Sequence, residues 1–501
     1  MRSVAQWLRS RRARFENHWA CVVESPEQVR SQLAALAGSG TPDGVLLTGV
    51  QRARPTVAFL CTGQGAQYRG MAQGLYESQP VFKDALDACA AVLDPLLEAP
   101  LLDLMFSEDE EDTRINQTGN TQPALFAVEY AIYKLLEASG IRPDVVMGHS
   151  VGEFAAAVIA GVMSLEDGAK LISARGRLMQ SLPEGGGMLS VFADEADVVP
   201  VLEGYEETVA VAGLNAAGQT VVSGDLEDLA KVEAAFKAKD IKAKALKVSH
   251  AFHSPLMNPI LDEFKAVAAE VTYAAPQIAL ISNLDGKVMS TAPDADYWVN
   301  HVRQAVRFKD GVETALSMGV SVFVEVGPNP TLTGLVKRIN GSVTLAAPLK
   351  RKRDDKVEWH KAISTLVAAG ADAPQTVTMP DVEFPNYSFD NQRYWFREAT
   401  GLPAHRAVQS GHPLVGTVLD SPELDGVVFE TVLKSDEPEH IADHRLFGVT
   451  VAAGATHIAM VAAAVEEALG WSRCTLGPIY FQRPLVVPDE GGVRGQISIQ
   501  A

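Results

Sequence analysis

The chain has 501 residues, 47% hydrophobic and 21% charged, with 40 Gly and 27 Pro. That is globular composition, enough for two to four domains at roughly 150 residues each, and it excludes a largely disordered, collagen-like or coiled-coil protein. Lys plus Arg total 43 against 62 Asp plus Glu, a formal charge of −19 that disfavours binding to a phosphate backbone.

Cys21, Cys61, Cys89 and Cys474 are scattered without CxxC or Cys/His ligand spacing. This predicts neither a disulfide framework nor a metal site, and fits a reduced cytoplasmic protein. No run approaches the ~20 apolar residues a membrane helix requires. Residues 1–15 carry Arg2, Arg9, Arg11, Arg12 and Arg14 among apolar residues at helical spacing, which fits a transit peptide or a basic amphipathic helix at a domain edge. Glu16 and the strand-like segment 19–23 favour the second.

Residues 56–61 form an apolar run closed by Thr62-Gly63-Gln64-Gly65, the pattern of a buried strand ending in a tight loop. Similar strands are expected at 144–147, 278–281 and 321–326, with helices such as 122–138 and 152–159 between them. Alternation of this kind predicts an α/β lobe built on a parallel sheet covered on both faces. Residues 187–248 break the rhythm: strand 188–193, helix 195–202, strand 208–214, strand 220–223, helix 226–238, strand 242–248, with a turn at Ala216-Ala217-Gly218. This βαββαβ order is ferredoxin-like and predicts a second lobe inserted in the first, with a cleft between them. Beyond about residue 345 a helix at 357–369 leads into a Pro- and Thr-rich stretch and an aromatic cluster from Phe384 to Phe396, expected to pack back on a domain. From Gly411 a third regime follows, with strands at 427–433 and 449–453 and an apolar helix at 457–469.

Gly148-His149-Ser150-Val151-Gly152 lies between a predicted strand and a predicted helix, the setting of a nucleophile elbow. The glycines permit the strained turn, and the helix N-terminus favours developing negative charge. A nucleophilic serine needs a base. His250 and His253, where the chain leaves the small lobe, are both candidates, and either could instead be a buried hydrogen-bonding imidazole. No Asp stands out as a third triad member, so a backbone carbonyl could orient the base. An oxyanion needs two donors; one would be the Val151 N–H and the other would come from the Gly63-Gln64-Gly65 loop. Arg175 and Arg177 sit on a predicted helix in apolar surroundings. They suit a substrate carboxylate, and the bland alternative is a surface salt bridge.

Gly63-Gln64-Gly65-Ala66-Gln67, Gly148 to Glu153, Arg175 and His250-Ala251-Phe252-His253 together resemble the malonyl-CoA:acyl carrier protein acyltransferase domain of modular type I polyketide synthases. The resemblance implies acylation of Ser150, His253 as general acid and base, and an oxyanion hole from the amides of Gln64 and Val151. It also implies Arg175 on the malonyl carboxylate, Gln122 lining the same pocket, and backbone near Asn300-His301 orienting the histidine. His250 and Phe252 imply malonyl rather than methylmalonyl selectivity, since the bulk of Phe252 leaves less room for an α-methyl group. The fold implied is an α/β-hydrolase-like parallel-sheet lobe carrying the ferredoxin-like lobe.

The organisation implied is the end of a ketosynthase-to-acyltransferase linker at 1–54 and the acyltransferase at 55–345, its small lobe at about 187–250. A post-acyltransferase linker would occupy 346–400. Residues 411–501, with Gly411 to Gly416 and Ala442 to Gly448, resemble the start of a polyketide synthase dehydratase of hot-dog fold. There His444 would be the base, and Ala453 stands where that motif has Pro. The second hot dog, which supplies the catalytic aspartic acid, is not in this sequence, so no dehydration is expected of the chain alone. The partners implied are an acyl carrier protein bearing phosphopantetheine, malonyl-CoA as substrate, the ketosynthase and the rest of the dehydratase, with no bound cofactor or metal, no nucleic acid and no membrane. The rival readings are a methylmalonyl-selective transferase, a free-standing serine hydrolase, and a docking piece with a silent acyltransferase.

Overall fold

The computed structural model describes residues 18–38, 45–47, 54–246, 248–371, 412–419 and 426–500. The Arg-rich N-terminal segment and the aromatic cluster at 384–396 lie outside them. The chain divides into two compact units, Met1–Val382 and Glu383–Ala501.

In chain order, the strands of the first unit are β1 (Thr56–Cys61), β2 (Val145–Gly148), β3 (Gly186–Val191), β4 (Val209–Ala216), β5 (Gln219–Asp225), β6 (Ala243–Ala245), β7 (Ala279–Ile281), β8 (Val320–Val326) and β9 (Thr344–Ala346). A short antiparallel pair, His18–Ala20 with Val45–Leu47, precedes them. The large lobe is a five-stranded sheet in the order β9-β8-β1-β2-β7, parallel throughout. Strand β1 explains why the sequence reads as an unbroken apolar run. Val57, Phe59 and Cys61 enter the core on one face, while Ala58 and Leu60 enter the core on the other. Alternate side chains point to opposite faces, and helices cover both. Burying each large side chain contributes roughly 2–3 kcal/mol.

The helices that matter for the site are α1 (Thr118–Ala138), α2 (Gly152–Ile159), α3 (Leu165–Gln180), α4 (Glu195–Val198), α5 (Leu226–Ala238) and α6 (Ala295–Arg303). Helix α1 begins four residues before the position the sequence suggests, and carries Pro123 inside it. Pro123 has no N–H to give to the helix. The helix tolerates that missing donor among buried neighbours, from Thr121 through Glu129. Helix α3 is capped by Ser164, whose side chain accepts from the Asp167 N–H.

The small lobe is a four-stranded sheet in the order β4-β5-β3-β6, antiparallel throughout. With α4 and α5 it makes the βαββαβ order expected, around a core of Leu189, Val191, Val209, Val222, Val232 and Phe236. Gly218 closes the β4–β5 turn at φ +63°, a left-handed conformation that suits glycine. The edge of β4 does not stay open. The Leu214 N–H donates to Val306 O at 2.8 Å and the Val306 N–H to Ala212 O at 2.9 Å, so a piece of large-lobe chain runs alongside it as an extra parallel strand.

The second unit holds an antiparallel sheet of β10 (Thr417–Leu419), β11 (Val427–Leu433) and β12 (Val493–Ile499), in that order. Helix α7 (Gly454–Leu469) packs on it through Ala463 and Ala464 against Phe429 and Val415. The strand expected at 449–453 shrinks to Val449–Thr450, paired with Arg445–Leu446. Its continuation is used differently: Ala452 donates to Leu485 O, and Ala453 opens the helix.

Candidate active site

Strand β2 ends at Gly148 and helix α2 starts at Gly152, so Ser150 sits on the turn between them. The sequence assigned the strained conformation to the glycines; the backbone assigns it to the serine. Ser150 has φ +51°, in the left-handed region that L-residues rarely adopt. The glycines serve close approach instead. A Cβ on Gly148 would lie 2.1 Å from the Glu153 amide nitrogen, and one on Gly152 would lie 2.2 Å from Cys61 O.

The Ser150 Oγ lies 2.6 Å from His253 Nε2. Of the two histidine candidates, only His253 reaches the serine; His250 is buried with Nε2 facing Leu182 O at 3.3 Å. His253 also has a left-handed backbone, φ +57°. Burial holds its imidazole well below the ordinary histidine range, with the positive charge of Arg175 acting in the same direction. At neutral pH the ring is therefore the free base. Among the described residues no carboxylate takes up Nδ1 and no side chain pairs with it, and the group that pulls the other way is the backbone of Gln304. That lies one helical turn beyond the Asn300-His301 region expected to orient the ring.

Arg175 rises from α3 with 1% of its surface exposed. Its Nη2 lies 3.1 Å from Ser150 Oγ, its guanidinium carbon lies 5.6 Å from the centre of the Phe154 ring, and its Nε has no partner. Among the described residues no carboxylate pairs with it, and burial pushes it down to about 9. A buried cation without a counter-charge is a costly arrangement that an incoming anion relieves. Arg177, two residues on, points to the surface and pairs with Glu263 at 2.9 Å, the surface salt bridge weighed as the alternative.

Gln122, fully buried on α1, donates to Gln64 Oε1 at 3.3 Å, and Gln64 donates to Thr118 Oγ1 at 3.3 Å. Thr118 meets the Ser249 hydroxyl at 2.8 Å. The Gln122 Oε1 is buried without a partner among the described residues. Among the described residues the backbone amides of Gln64 and Val151 donate to no protein group. Gly63 lets the Gln64 loop approach the elbow, because a Cβ there would sit 3.0 Å from His149 Nδ1. Phe252 belongs to the main apolar core beside His253.

Several further residues, without a local signal of any role, complete the arrangement. The Ser150 N–H donates to Asn283 Oδ1 at 2.7 Å, and Asn283 Nδ2 donates to Gly148 O at 2.8 Å. The Asn283 N–H donates to Glu153 Oε2 at 2.7 Å, and Tyr297 hydrogen-bonds the other oxygen of Glu153. His149 Nε2 meets Asn215 Oδ1 of the small lobe at 2.8 Å. The available signal was a polar Ser282-Asn283 pair closing a buried strand. Nothing local links it to residue 150.

A family model described as an acyl transferase domain matches residues 58–373. The chain belongs to that family. A second model, of the polyketide synthase dehydratase domain, matches residues 412–501. The acyltransferase with its neighbouring unit is 37% identical to polyketide synthase GfsA of Streptomyces halstedii over 99% of this chain and 7% of that protein. It is 38% identical to the mycoketide-CoA synthase of Mycobacterium tuberculosis over 98% of this chain and 12% of that protein. The chain thus spans a small fraction of these modular relatives. Among solved structures, the acyltransferase domain from the second module of the salinomycin polyketide synthase is similar at TM-score 0.68 and 40% identity, covering 74% of this chain and 87% of that one. A malonyl-CoA:acyl carrier protein transacylase from Xanthomonas oryzae is similar at TM-score 0.55 and 32% identity, covering 59% and 95%.

In the dehydratase-family unit, His444 is exposed and its Nδ1 meets Val451 O at 2.8 Å. Ala453 has φ −64°, the angle a proline ring would impose, so the loop takes the proline-compatible path without that residue.

Proposed function

We propose that the acyltransferase moves a malonyl group from malonyl-CoA, through an ester on Ser150, to the phosphopantetheine thiol of an acyl carrier protein. The observation that carries this reading is Arg175: buried, without a counter-ion, and 3.1 Å from the serine hydroxyl. A carboxylate on the acyl group would fill that position and fix the thioester carbonyl over Ser150.

His253 Nε2 takes the hydroxyl proton as Ser150 Oγ attacks the thioester carbon, and the carbonyl oxygen becomes an oxyanion facing the Gln64 and Val151 amides. Collapse breaks the C–S bond, and the proton on His253 passes to the departing CoA sulfur. The carrier thiol then gives its proton to His253 and attacks the ester; the C–O bond breaks and the proton returns to Ser150. The imidazole starts each half-reaction neutral, consistent with its burial beside Arg175. Gln122, with an unpartnered carbonyl oxygen, adds a polar wall to the acyl pocket.

Malonyl is chosen over methylmalonyl by the bulk of Phe252 beside the base, with His250 behind it. A single methyl is worth roughly 1–3 kcal/mol of discrimination. The test is intact-mass measurement after mixing the chain with malonyl-, methylmalonyl- or acetyl-CoA, followed by peptide mapping. The malonyl adduct should map to Ser150 and form fastest. Equal transfer of malonyl and methylmalonyl to a carrier protein overturns the selectivity, and steady CoA release without a carrier favours a hydrolase. In the second unit we assign His444 as the dehydratase-like base: its Nδ1 contact to Val451 O leaves Nε2 as the nitrogen able to accept a proton.

A further inference from the structure

Ser150 is held in a conformation that serine does not choose for itself, so something must hold it. The turn from Gly148 to Gly152 presents one carbonyl and one amide towards strand β7, and both meet the same side chain. Asn283 Oδ1 takes the Ser150 N–H at 2.7 Å, and Asn283 Nδ2 gives to Gly148 O at 2.8 Å. The polarity of the two backbone groups fixes which way round the amide lies. Asn283 is itself locked: it is buried, and its own N–H donates to Glu153 Oε2 at 2.7 Å. Glu153 lies on the first turn of α2, so the clamp returns to the element that follows the nucleophile. Tyr297, which hydrogen-bonds Glu153 and lies 2.8 Å from the Ser282 hydroxyl, fixes the carboxylate from α6.

We infer that Asn283 is a positioning residue for acyl transfer, clamping the turn on both sides of Ser150 so that the hydroxyl stays on His253 Nε2. The clamp also occupies the Ser150 N–H, which leaves Val151 as the elbow's oxyanion donor. This rests on Ser150 being the nucleophile. Acyl transfer is sensitive to placement, and an error of about 1 Å in a reacting group costs on the order of 100-fold.

The test uses the full chain, rapid quenching and intact-mass measurement of the malonyl adduct, with a thermal melt of each variant. Asn283→Ala should form the adduct about 100-fold more slowly, with the half-saturating malonyl-CoA concentration changed by no more than about twofold. Asn283→Asp keeps the acceptor for the Ser150 N–H and loses the donor to Gly148 O while ionised; protonated, it offers both. Its rate relative to wild type at the same pH should therefore climb as pH is lowered from about 8 to about 6, because a buried carboxyl facing a carbonyl oxygen is protonated more readily. Wild-type loading rates in Asn283→Ala, or losses that match only the unfolded fraction with a pH-independent ratio in Asn283→Asp, overturn the inference. A malonyl adduct that survives Ser150→Ala overturns the nucleophile assignment and the inference with it. Loss of the adduct in Ser150→Ala with full loading in Asn283→Ala overturns the clamp alone.

Discussion

Two faces of helix α3, two residues apart, use the same side chain for opposite ends. Arg177 lies on the outer face, 62% exposed and paired with Glu263. Arg175 lies on the inner face, 1% exposed, hydrogen-bonded to the serine hydroxyl and, among the described residues, paired with no carboxylate. Residues at i and i+2 point in different directions on a helix, so one turn can carry a solvated charge and a buried one. The outer pair is screened and contributes little. The inner charge is destabilising as long as no anion faces it. What separates them is the missing counter-ion, which no property of arginine itself would reveal.

The largest expected effect breaks that comparison directly. Arg175→Ala should slow malonyl loading of Ser150 by about 100-fold or more, the scale for removing a preorganised charge from a reacting site, while Arg177→Ala should load at the wild-type rate. Measured adduct rates that fall together would make the two faces equivalent. The next effect is on choice of acyl group. Acetyl-CoA has no carboxylate, so Arg175→Ala should narrow the preference for malonyl over acetyl by about tenfold or more in a competition assay, and Arg177→Ala should leave it alone.

A third consequence is a shift in pH dependence. His253 is held below the ordinary histidine value, partly by Arg175, so its base form is present above that lowered pKa and is lost as pH falls through it. Removing the Arg175 charge raises the pKa. The acid limb of acetyl loading by Arg175→Ala should therefore move to higher pH, and an unmoved limb would remove Arg175 from the electrostatics of the base. The smallest effect is on stability. Arg175→Met replaces an uncompensated buried cation with an apolar chain and should raise the unfolding free energy by on the order of 1 kcal/mol, measured by denaturant titration, whereas Arg177→Ala should change stability by less than about 0.5 kcal/mol.

Much of the acyltransferase fold was legible because its signals are local. An apolar run before Gly-His-Ser-Val-Gly reads as strand, turn and helix, and the βαββαβ order from 186 to 245 follows from periodicity and one Gly turn. Ser150 and the His250-to-His253 segment could be named for the same reason. Local pattern left the two histidines equivalent, both with apolar neighbours in sequence, and only the family resemblance pointed to His253; the backbone there turns the ring to the serine. Asn283 was invisible as a clamp: it is 133 residues from Ser150, and an Asn at a strand end is ordinary turn chemistry. Gln304 acts through its backbone, which carries no side-chain signature. Helix α1 starts at Thr118 rather than 122, and burial tolerates Pro123 inside it.

The strand-like segment at Val306 has a consequence for recombination. Gln304, whose backbone acts on His253, lies two residues from the point where large-lobe chain is hydrogen-bonded to the edge of β4. A chimera that exchanges only residues 187–250 would therefore bring a foreign sheet edge against the native segment that faces the general base. The functional graft is discontinuous: the inserted lobe together with the few residues around 304–307 that complete its sheet.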